Sequence, residues 1–256
     1  MNGVAIEGMN KTLSKNAFSA RQTRRRPRLA VAVVEDLVAS IVTEAYTAGS
    51  ALPAENVLCD MYEVSRTVIR EATTALTEKG LVVSQQGRGT IVQDQSYWSL
   101  LDPMVLGALF QREDGLAYLD NLIEIRATLE ASMAGKAAEK LTADDAAELT
   151  VQLHRLDETV GNQAAYVPED VRFHDIIMRI SGDRLSAAII NRIQDKALKN
   201  VTYFGTMNAD HIRVIHAAHH DIHDAILRRD AAAAESAMRE HIESSWQRRR
   251  PAIVAS

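Results

Sequence analysis

The sequence predicts a mostly α-helical protein in which an N-terminal winged helix-turn-helix precedes a C-terminal all-helical bundle. Apolar residues recur at three- and four-residue spacing through most of the chain, as amphipathic helices require. Only five Pro and 12 Gly occur in 256 residues, so few positions interrupt helices. Two β-type runs, at 81–83 and 90–92, flank a Gly-Arg-Gly tip that suits a tight turn. These observations predict a small β-ribbon within an otherwise helical fold.

Four segments follow one another along the chain. Residues 1–28 lack apolar periodicity and end in an arginine-rich run, which predicts a disordered basic arm. The arm is either a solvated tail or an extension that follows DNA phosphates. A winged DNA-binding domain is expected at 29–93, a polar linker at 94–102 and a helical domain at 103–250.

The stretch 51–93 carries the predicted helix-turn-helix and wing. Pro53 suits the first turn of a short helix, because that position needs no backbone N–H. The apolar face of this helix is expected at Ala54, Val57, Leu58 and Met61. Ser65 is expected to cap the next helix with its hydroxyl, and Gly80 is expected to end it.

A recognition helix needs polar side chains that can reach base edges at its N-terminal end. Arg66, Thr67 and Arg70 share the first turns of the second helix, on the side away from the core. Arg88 at the tip of the wing suits a minor-groove or phosphate contact. Solvated arginines on an ordinary helical hairpin are the alternative. The ordered pattern of helix, turn, helix and ribbon favours binding to double-stranded DNA.

The charge balance indicates two domains with different tasks. The net charge is −5, but residues 1–95 carry 11 Lys and Arg against 10 Asp and Glu, whereas residues 96–256 carry 18 against 24. The basic side of the chain is therefore the N-terminal one, and the acidic bulk belongs to the second domain. The single cysteine, Cys59, excludes an internal disulfide and favours the cytoplasm. No apolar run is long enough for a membrane helix.

Seven helices are predicted after the linker. Their expected spans are 103–112, 115–140, 142–160, 163–182, 184–207, 209–229 and 231–250. Residues that favour helix starts support these spans: Asp114, Thr142, Asp183 and Asp230. A helical bundle follows from this pattern.

One carboxylate and three imidazoles have spacings that a bundle can bring together. Asp170 and His174 lie four residues apart, on one face of a helix. His219 and His241 each lie 11 residues from Asp230, so an antiparallel hairpin places them at one level. Such a set suits a borderline divalent metal, with zinc preferred and nickel or manganese as alternatives.

Histidines at helical spacing are more often core or surface residues than ligands, so other placements remain open. His220 and His223 are expected to face solvent or a neighbouring helix. Three others are expected to be structural or exposed: His154, His211 and His216.

The N-terminal motifs resemble the winged helix-turn-helix of the GntR family of bacterial transcription factors. The matching pieces lie at 52–55, 64–67, 70–72, 76, 80–82 and 87–90. The resemblance implies that the DNA contacts come from Asn56, Ser65, Arg66, Thr67, Arg70, Arg88 and Gly89. Asn56 stands where the family often has an arginine, and its amide can still bond an adenine edge or a phosphate.

The helical region resembles the effector domain, called FCD, of the FadR-type branch of this family in its metal-binding form. The matching pieces are Asp-x-x-x-His at 170–174, a histidine ahead of Ala225-Ile226 and Arg-Glu-His at 239–241. The resemblance implies that Arg126 contacts the carboxylate of an effector. It also implies the metal ligands Asp170, His174, His219 and His241.

The run 98–106 resembles the sugar-acid, or galactonate-type, group of these regulators. The resemblance implies a homodimer on a palindromic operator, because a two-fold protein matches a two-fold site. A small carboxylate such as a sugar acid would change operator affinity, and we expect a repressor that is released by its ligand.

Two other functions compete with this prediction. A metal held by Asp170 and the histidines could activate water for hydrolysis. No His-Glu-x-x-His motif supplies a general base for that reaction, so we predict that the protein is not an enzyme. Alternatively, the helical domain only dimerises and its metal is structural.

Overall fold

The computed structural model describes residues 29–197 and 209–250, and the predicted basic arm at 1–28 lies outside them. The chain divides into two compact units between Arg112 and Glu113. The sequence placed the start of the helical domain at residue 103, whereas the contacts group 103–112 with the first unit.

The first unit has the order of elements that defines a winged helix-turn-helix, as predicted. Its elements are α1 (29–42), α2 (Glu55–Tyr62), α3 (Arg66–Glu78), β1 (Val82–Gln85), β2 (Gly89–Val92), a 3-10 turn (Gln95–Tyr97) and α4 (Pro103–Leu109). Much of its core comes from two amphipathic helices. The buried residues of α1 and α3 are Val33, Val34, Leu37, Val38, Ile41, Val42, Val68, Ile69, Ala72 and Leu76.

The predicted apolar face of α2 is only partly buried. Leu58 is buried, but the side chains of Val57 and Met61 are 42% and 56% exposed. Leu58 is the buried residue of this eight-residue helix, and Cys59 is partly buried. The core of this unit therefore covers only part of the apolar face that the spacing predicts.

Gly80 ends α3 in a backbone conformation that other residues rarely adopt. Its φ is +73°, and an added Cβ would lie 2.0 Å from the carbonyl oxygen of Tyr97. Asp102 then caps α4 by accepting backbone N–H groups of the first turn. Its Oδ2 also lies 2.6 Å from Nζ of Lys79. These contacts tie the end of α3 to the start of α4.

The wing is an antiparallel hairpin in which Val82 pairs with Val92 and Gln85 with Gly89. Gly87 and Gly89 have φ values of 76° and 88°, which permit the tight turn. The hairpin presents the Arg88 side chain to solvent at its tip.

The second unit consists of helices throughout its described residues. They are α5 (Gly115–Lys140), α6 (Ala143–Thr159), α7 (Gln163–Ser181), α8 (Arg184–Ala197), α9 (Ala209–Leu227) and α10 (Ala231–Arg249). These spans follow the predicted helices closely, and the part of the predicted helix 184–207 beyond residue 197 lies outside the described residues. The mostly α-helical fold class is confirmed.

Several of these helices begin after a residue whose side chain caps the first turn, as predicted. Thr142 and Asp145 form a capping box at α6, while Asp183 and Asp230 each accept an N–H from the turn that follows. Asp114 makes no side-chain capping bond, contrary to expectation. Its backbone, with φ −87° and ψ 7°, lacks the extended conformation that capping requires.

Helix α5 lies at the centre of the second unit and packs against α7, α8, α9 and α10. Small residues allow a close approach, since a Cβ at Gly135 would lie 3.2 Å from the carbonyl oxygen of Ala231. Helix α9 also packs on α10, and α6 packs on α7. Within the described ranges, no helix combines the length and apolarity needed to cross a membrane.

Candidate metal centre and nucleic-acid interface

Three helices of the second unit bring one carboxylate and three imidazoles together. Helix α7 carries Asp170 and His174 one turn apart, α9 carries His219 and α10 carries His241. One potential ligand atom from each residue lies within 4.8 Å of the others. The imidazoles are only 2%, 0% and 4% exposed, in chain order. The structure therefore gathers all four predicted ligands at one buried point, hereafter the buried cluster.

The nitrogens of the buried cluster fit a cation better than a closed hydrogen-bond network. Nε2 of His174 and Nε2 of His241 lie 3.2 Å apart. Nε2 of His219 lies 3.1 Å from Oδ1 of Asp170, yet it is not aligned for a hydrogen bond. A buried polar atom without a hydrogen bond costs about 1–3 kcal/mol. A divalent metal among the four residues would satisfy this nitrogen, so the donor set fits a metal.

Two residues of α5, Glu130 and Arg126, contact His174 directly or through each other on the Nδ1 side of its ring. Oε2 of Glu130 lies 2.7 Å from Nδ1 of His174, and Oε1 accepts a hydrogen bond from Nε of Arg126 at 2.7 Å. Because Nδ1–H of His174 donates to the carboxylate, Nε2 of His174 keeps its lone pair toward the cluster. The pair between Arg126 and Glu130 is not a surface ion pair, because Glu130 is only 1% exposed and lies beside the buried cluster.

Tyr166 supports His219 in a similar way. Its hydroxyl lies 3.1 Å from Nδ1 of His219, and its side chain is buried. Tyr166, Asp170 and His174 follow one another at four-residue spacing, so one face of α7 carries all three. The sequence analysis missed Tyr166, although its position four residues ahead of Asp170 was the available signal.

Burial and neighbouring charges set the ionisation of the buried cluster. Burial raises the pKa of Glu130, but its ion-pair partners outweigh burial and leave that pKa at about 2. Burial also opposes ionisation of Asp170, yet the contact with His219 holds its pKa well below the ordinary value. Burial lowers the pKa of His219 and that of His241, whereas Glu130 overcomes burial and raises the pKa of His174. Ionised carboxylates and neutral imidazoles are the forms that bind metals, so the directions for Asp170, His219 and His241 favour a metal, whereas His174 must be in its neutral form when a metal binds.

The other predicted histidine placements hold where the structure describes them. His223 is buried against α6, with Nε2 3.0 Å from Oγ1 of Thr150, and His220 is half-exposed. His154 is exposed, while His216 is mostly buried. The side chain of His211 lies outside the described residues.

The N-terminal end of α3 presents its basic side chains to solvent. The side chains of Arg66 and Arg70 are 72% and 71% exposed, on the face opposite the buried residues of the helix. All of the predicted DNA-contacting residues are exposed: Asn56, Ser65, Arg66, Thr67, Arg70, Arg88 and Gly89. This surface is open to a double helix.

Glu55 holds both arginines of this surface. Nε of Arg70 donates to Oε2 of Glu55 at 2.8 Å, and Nε of Arg66 lies 3.9 Å from Oε1. The hydrogen bond from Arg70 lowers the pKa of Glu55, which therefore stays ionised at neutral pH. The sequence analysis gave Glu55 no role of this kind.

Ser65 stands at the N-cap position of α3 but makes no capping hydrogen bond with its hydroxyl, contrary to expectation. The start of the helix is exposed, so water can satisfy its first N–H groups.

Two family patterns match this chain. The pattern described as "Bacterial regulatory proteins, gntR family" matches residues 29–92, and the pattern of the FCD domain matches residues 121–244. The chain belongs to the GntR family of bacterial regulators, in the branch that carries an FCD domain. It is a DNA-binding transcriptional regulator and not an enzyme.

Named relatives cover most of the chain. The galactonate operon transcriptional repressor of Escherichia coli K12 is 29% identical over 222 residues, which are 84% of this chain and 94% of the relative. The transcriptional repressor NanR of Cronobacter sakazakii is 28% identical over 233 residues, which are 89% of this chain and 88% of the relative. Among solved structures, Lar of Listeria monocytogenes has a similar fold, with a TM-score of 0.58 at 15% identity over 86% of this chain and 95% of that one.

Proposed function

We propose that this regulator is a homodimeric repressor that leaves its operator when a small carboxylate binds beside a metal in the helical unit. The observation that carries the proposal is the buried cluster, in which four ligand atoms lie within 4.8 Å of one another. One relative is named a repressor of a galactonate operon, which supports a sugar acid as the effector class.

The metal ligands in this proposal are Asp170, His174, His219 and His241. Three imidazoles and one carboxylate suit zinc, and nickel or manganese can use the same donors. A tetrahedral zinc would have all four positions filled by the protein, whereas a six-coordinate ion would keep two positions for water or an effector oxygen. The metal therefore decides whether the effector can bind it directly.

Arg126 is proposed as the residue that links the effector to the metal. Its Nε already donates to Glu130 at 2.7 Å, so an effector carboxylate would share the guanidinium with Glu130 or replace it. Either change alters the charge that orients His174. A ligand can move the regulator between two states only through such a difference in contacts.

The DNA contacts in this proposal come from α3, the start of α2 and the wing. Arg66 and Arg70 would exchange Glu55 for phosphates or guanine edges, and Arg88 would enter the adjacent minor groove or contact phosphates. Four further contacts are proposed: Asn56, Ser65, Thr67 and Gly89. Two such units in a dimer suit a palindromic operator.

A thermal-shift screen of small carboxylates tests the effector proposal. We expect metal-loaded protein to gain several degrees in Tm with one class of sugar acid, because binding to the folded state alone stabilises it. The gain should vanish in protein stripped by a chelator and in Asp170→Asn. Stabilisation that persists in both would contradict an effector site beside the metal.

A purely structural metal is the second candidate, and the four protein donors that could close a tetrahedral zinc favour it. In that case chelation would lower Tm, while no carboxylate in the screen would change either Tm or operator affinity.

A further inference from the structure

A second group of metal-ligating side chains lies at the surface of the helical unit, where α6 packs against α9; we refer to it as the surface cluster. Nε2 of His216 and Nε2 of His220 lie 2.7 and 2.9 Å from the same Oδ1 of Asp157. The two nitrogens are 3.3 Å apart. One ligand atom from each of these three residues lies within 4.8 Å of the others. The surface cluster shares no residue with the buried cluster.

The geometry follows from helix periodicity. His216 and His220 stand one turn apart on α9, so their rings project side by side over α6. Asp157 rises from α6 to meet both, and His154, one turn earlier on that helix, places Nδ1 3.4 Å from Oδ2 of Asp157. Two imidazoles and a carboxylate thus converge on one point, with a third imidazole at the edge.

Hydrogen bonding alone leaves this arrangement crowded. Each ring must then direct an Nε2–H at the same carboxylate oxygen while the two nitrogens stay 3.3 Å apart. A cation held by both lone pairs and the carboxylate removes the competition for one oxygen.

We propose that Asp157, His216 and His220 form a second divalent-metal site, which exchanges its ion with solvent. The side chains of Asp157 and His220 are 36% and 47% exposed, so water can fill the remaining coordination positions. Two imidazoles and one carboxylate suit a borderline ion such as zinc, nickel or copper.

The surface cluster should bind its ion more weakly than the buried cluster. When Nε2 of His216 coordinates a metal, the ring proton must lie on Nδ1, and this atom is buried without a hydrogen-bond partner. The two clusters are also close, since the rings of His216 and His219 have centroids 6.2 Å apart. Two bound cations would therefore repel each other.

Calorimetric titration of chelator-stripped, full-length protein with nickel alone tests the proposal. We expect two ions per chain, one tight and one weaker. His220→Ala and Asp157→Asn should each reduce the affinity for the second ion by more than about tenfold. The affinity for the first ion should not change. His241→Ala should remove the tight ion and keep the weaker one, which shows that the two sites are separate.

Asp221→Asn is the matched control, because Asp221 is exposed beside His220 but lies outside the surface cluster. This variant should keep both ions. A wild-type stoichiometry of one ion per chain would overturn the proposal. A second ion that survives in both His220→Ala and Asp157→Asn, or that disappears in Asp221→Asn, would overturn it as well.

Discussion

Nδ1 of His174 lies 2.7 Å from Oε2 of Glu130, and both side chains are almost completely buried. This contact fixes which nitrogen of His174 faces the buried cluster. The carboxylate is in turn paired with Arg126, the residue proposed to meet the effector. A short chain of buried polar contacts therefore runs from the proposed effector contact to a proposed metal ligand.

Glu130→Gln is expected to weaken metal binding by about 10- to 100-fold, as substitutions of residues that hydrogen-bond to metal ligands typically do. The side-chain oxygen of glutamine can still accept a hydrogen bond from Nδ1–H of His174, but the substitution removes the negative charge that raises the basicity of the ring. Competition with a chromogenic chelator measures the affinity, and circular dichroism confirms folding. Glu124→Gln, an exposed change on the same helix, should have no effect. Equal metal affinities of wild type and Glu130→Gln would show that Glu130 does not affect metal binding.

Arg70→Ala is expected to reduce operator affinity by about 1–3 kcal/mol if Arg70 bonds a base, or to reduce the salt slope by about one if it bonds a phosphate. Fluorescence anisotropy at several salt concentrations, on DNA selected by the protein from genomic fragments, distinguishes the two. Arg239→Ala removes the same charge from α10 and should leave the affinity unchanged. If Arg70→Ala and Arg239→Ala reduce operator affinity equally, the effect comes from net charge, and a specific contact by Arg70 is refuted.

Gly80→Ala is expected to destabilise the winged unit by about 1–3 kcal/mol, as a strained backbone does. The new Cβ would meet the carbonyl oxygen of Tyr97 at 2.0 Å, and φ is +73°. Gly107→Ala is the control, because it is helical and a Cβ there meets nothing within 4 Å. It should be neutral or stabilise by up to about 1 kcal/mol. Urea unfolding gives both values, and equal stabilities of the two variants would contradict the argument.

The ion pair between Asp102 and Lys79 is expected to make the winged unit sensitive to acid. Burial raises the pKa of Asp102, but the hydrogen bond and charge of Lys79, together with the backbone N–H groups of Val105 and Met104, outweigh burial and lower that pKa below its ordinary value. A carboxyl with a lowered folded-state pKa stabilises the fold above the unfolded pKa of about 4, and this contribution is lost as the pH falls through the folded pKa. The unit should therefore lose stability below about pH 4.

Asp102→Asn isolates this effect, because asparagine still caps a helix but carries no charge. Urea unfolding followed by Trp98 fluorescence, in a Trp246→Phe background, should show less stability than wild type at pH 7. The difference should shrink in acid. If the difference in stability between Asp102→Asn and wild type is the same at every pH, the charge of Asp102 does not contribute to stability.

Periodicity and local motifs predicted the fold well because they act over one or two helical turns. The spans of α5, α6, α7 and α10 follow from apolar spacing and from caps such as Thr142 and Asp230. The exposure of Val57 and Met61 could not be predicted, because spacing does not tell how much of the apolar face of a short helix the core covers.

The candidate metal sites also differ in how far they could be predicted from the sequence. The meeting of Asp170 and His174 with His219 and His241 was predictable from one helical turn and one hairpin, and the structure brings these residues together. The surface cluster was not predictable, because Asp157 reaches α9 only through tertiary packing. The supporting contacts of Glu130 and Tyr166 depend on packing across helices for the same reason.

The affinity of metal-loaded protein for its operator, measured with and without the sugar acid that raises Tm, tests the central claim most directly. We expect the acid to weaken DNA binding by at least about fivefold, which is the lower range of allosteric coupling. Neither chelator-stripped protein nor Asp170→Asn should show this change. An acid that binds the metal-loaded protein but leaves operator affinity unchanged would contradict the claim that the helical unit controls DNA binding.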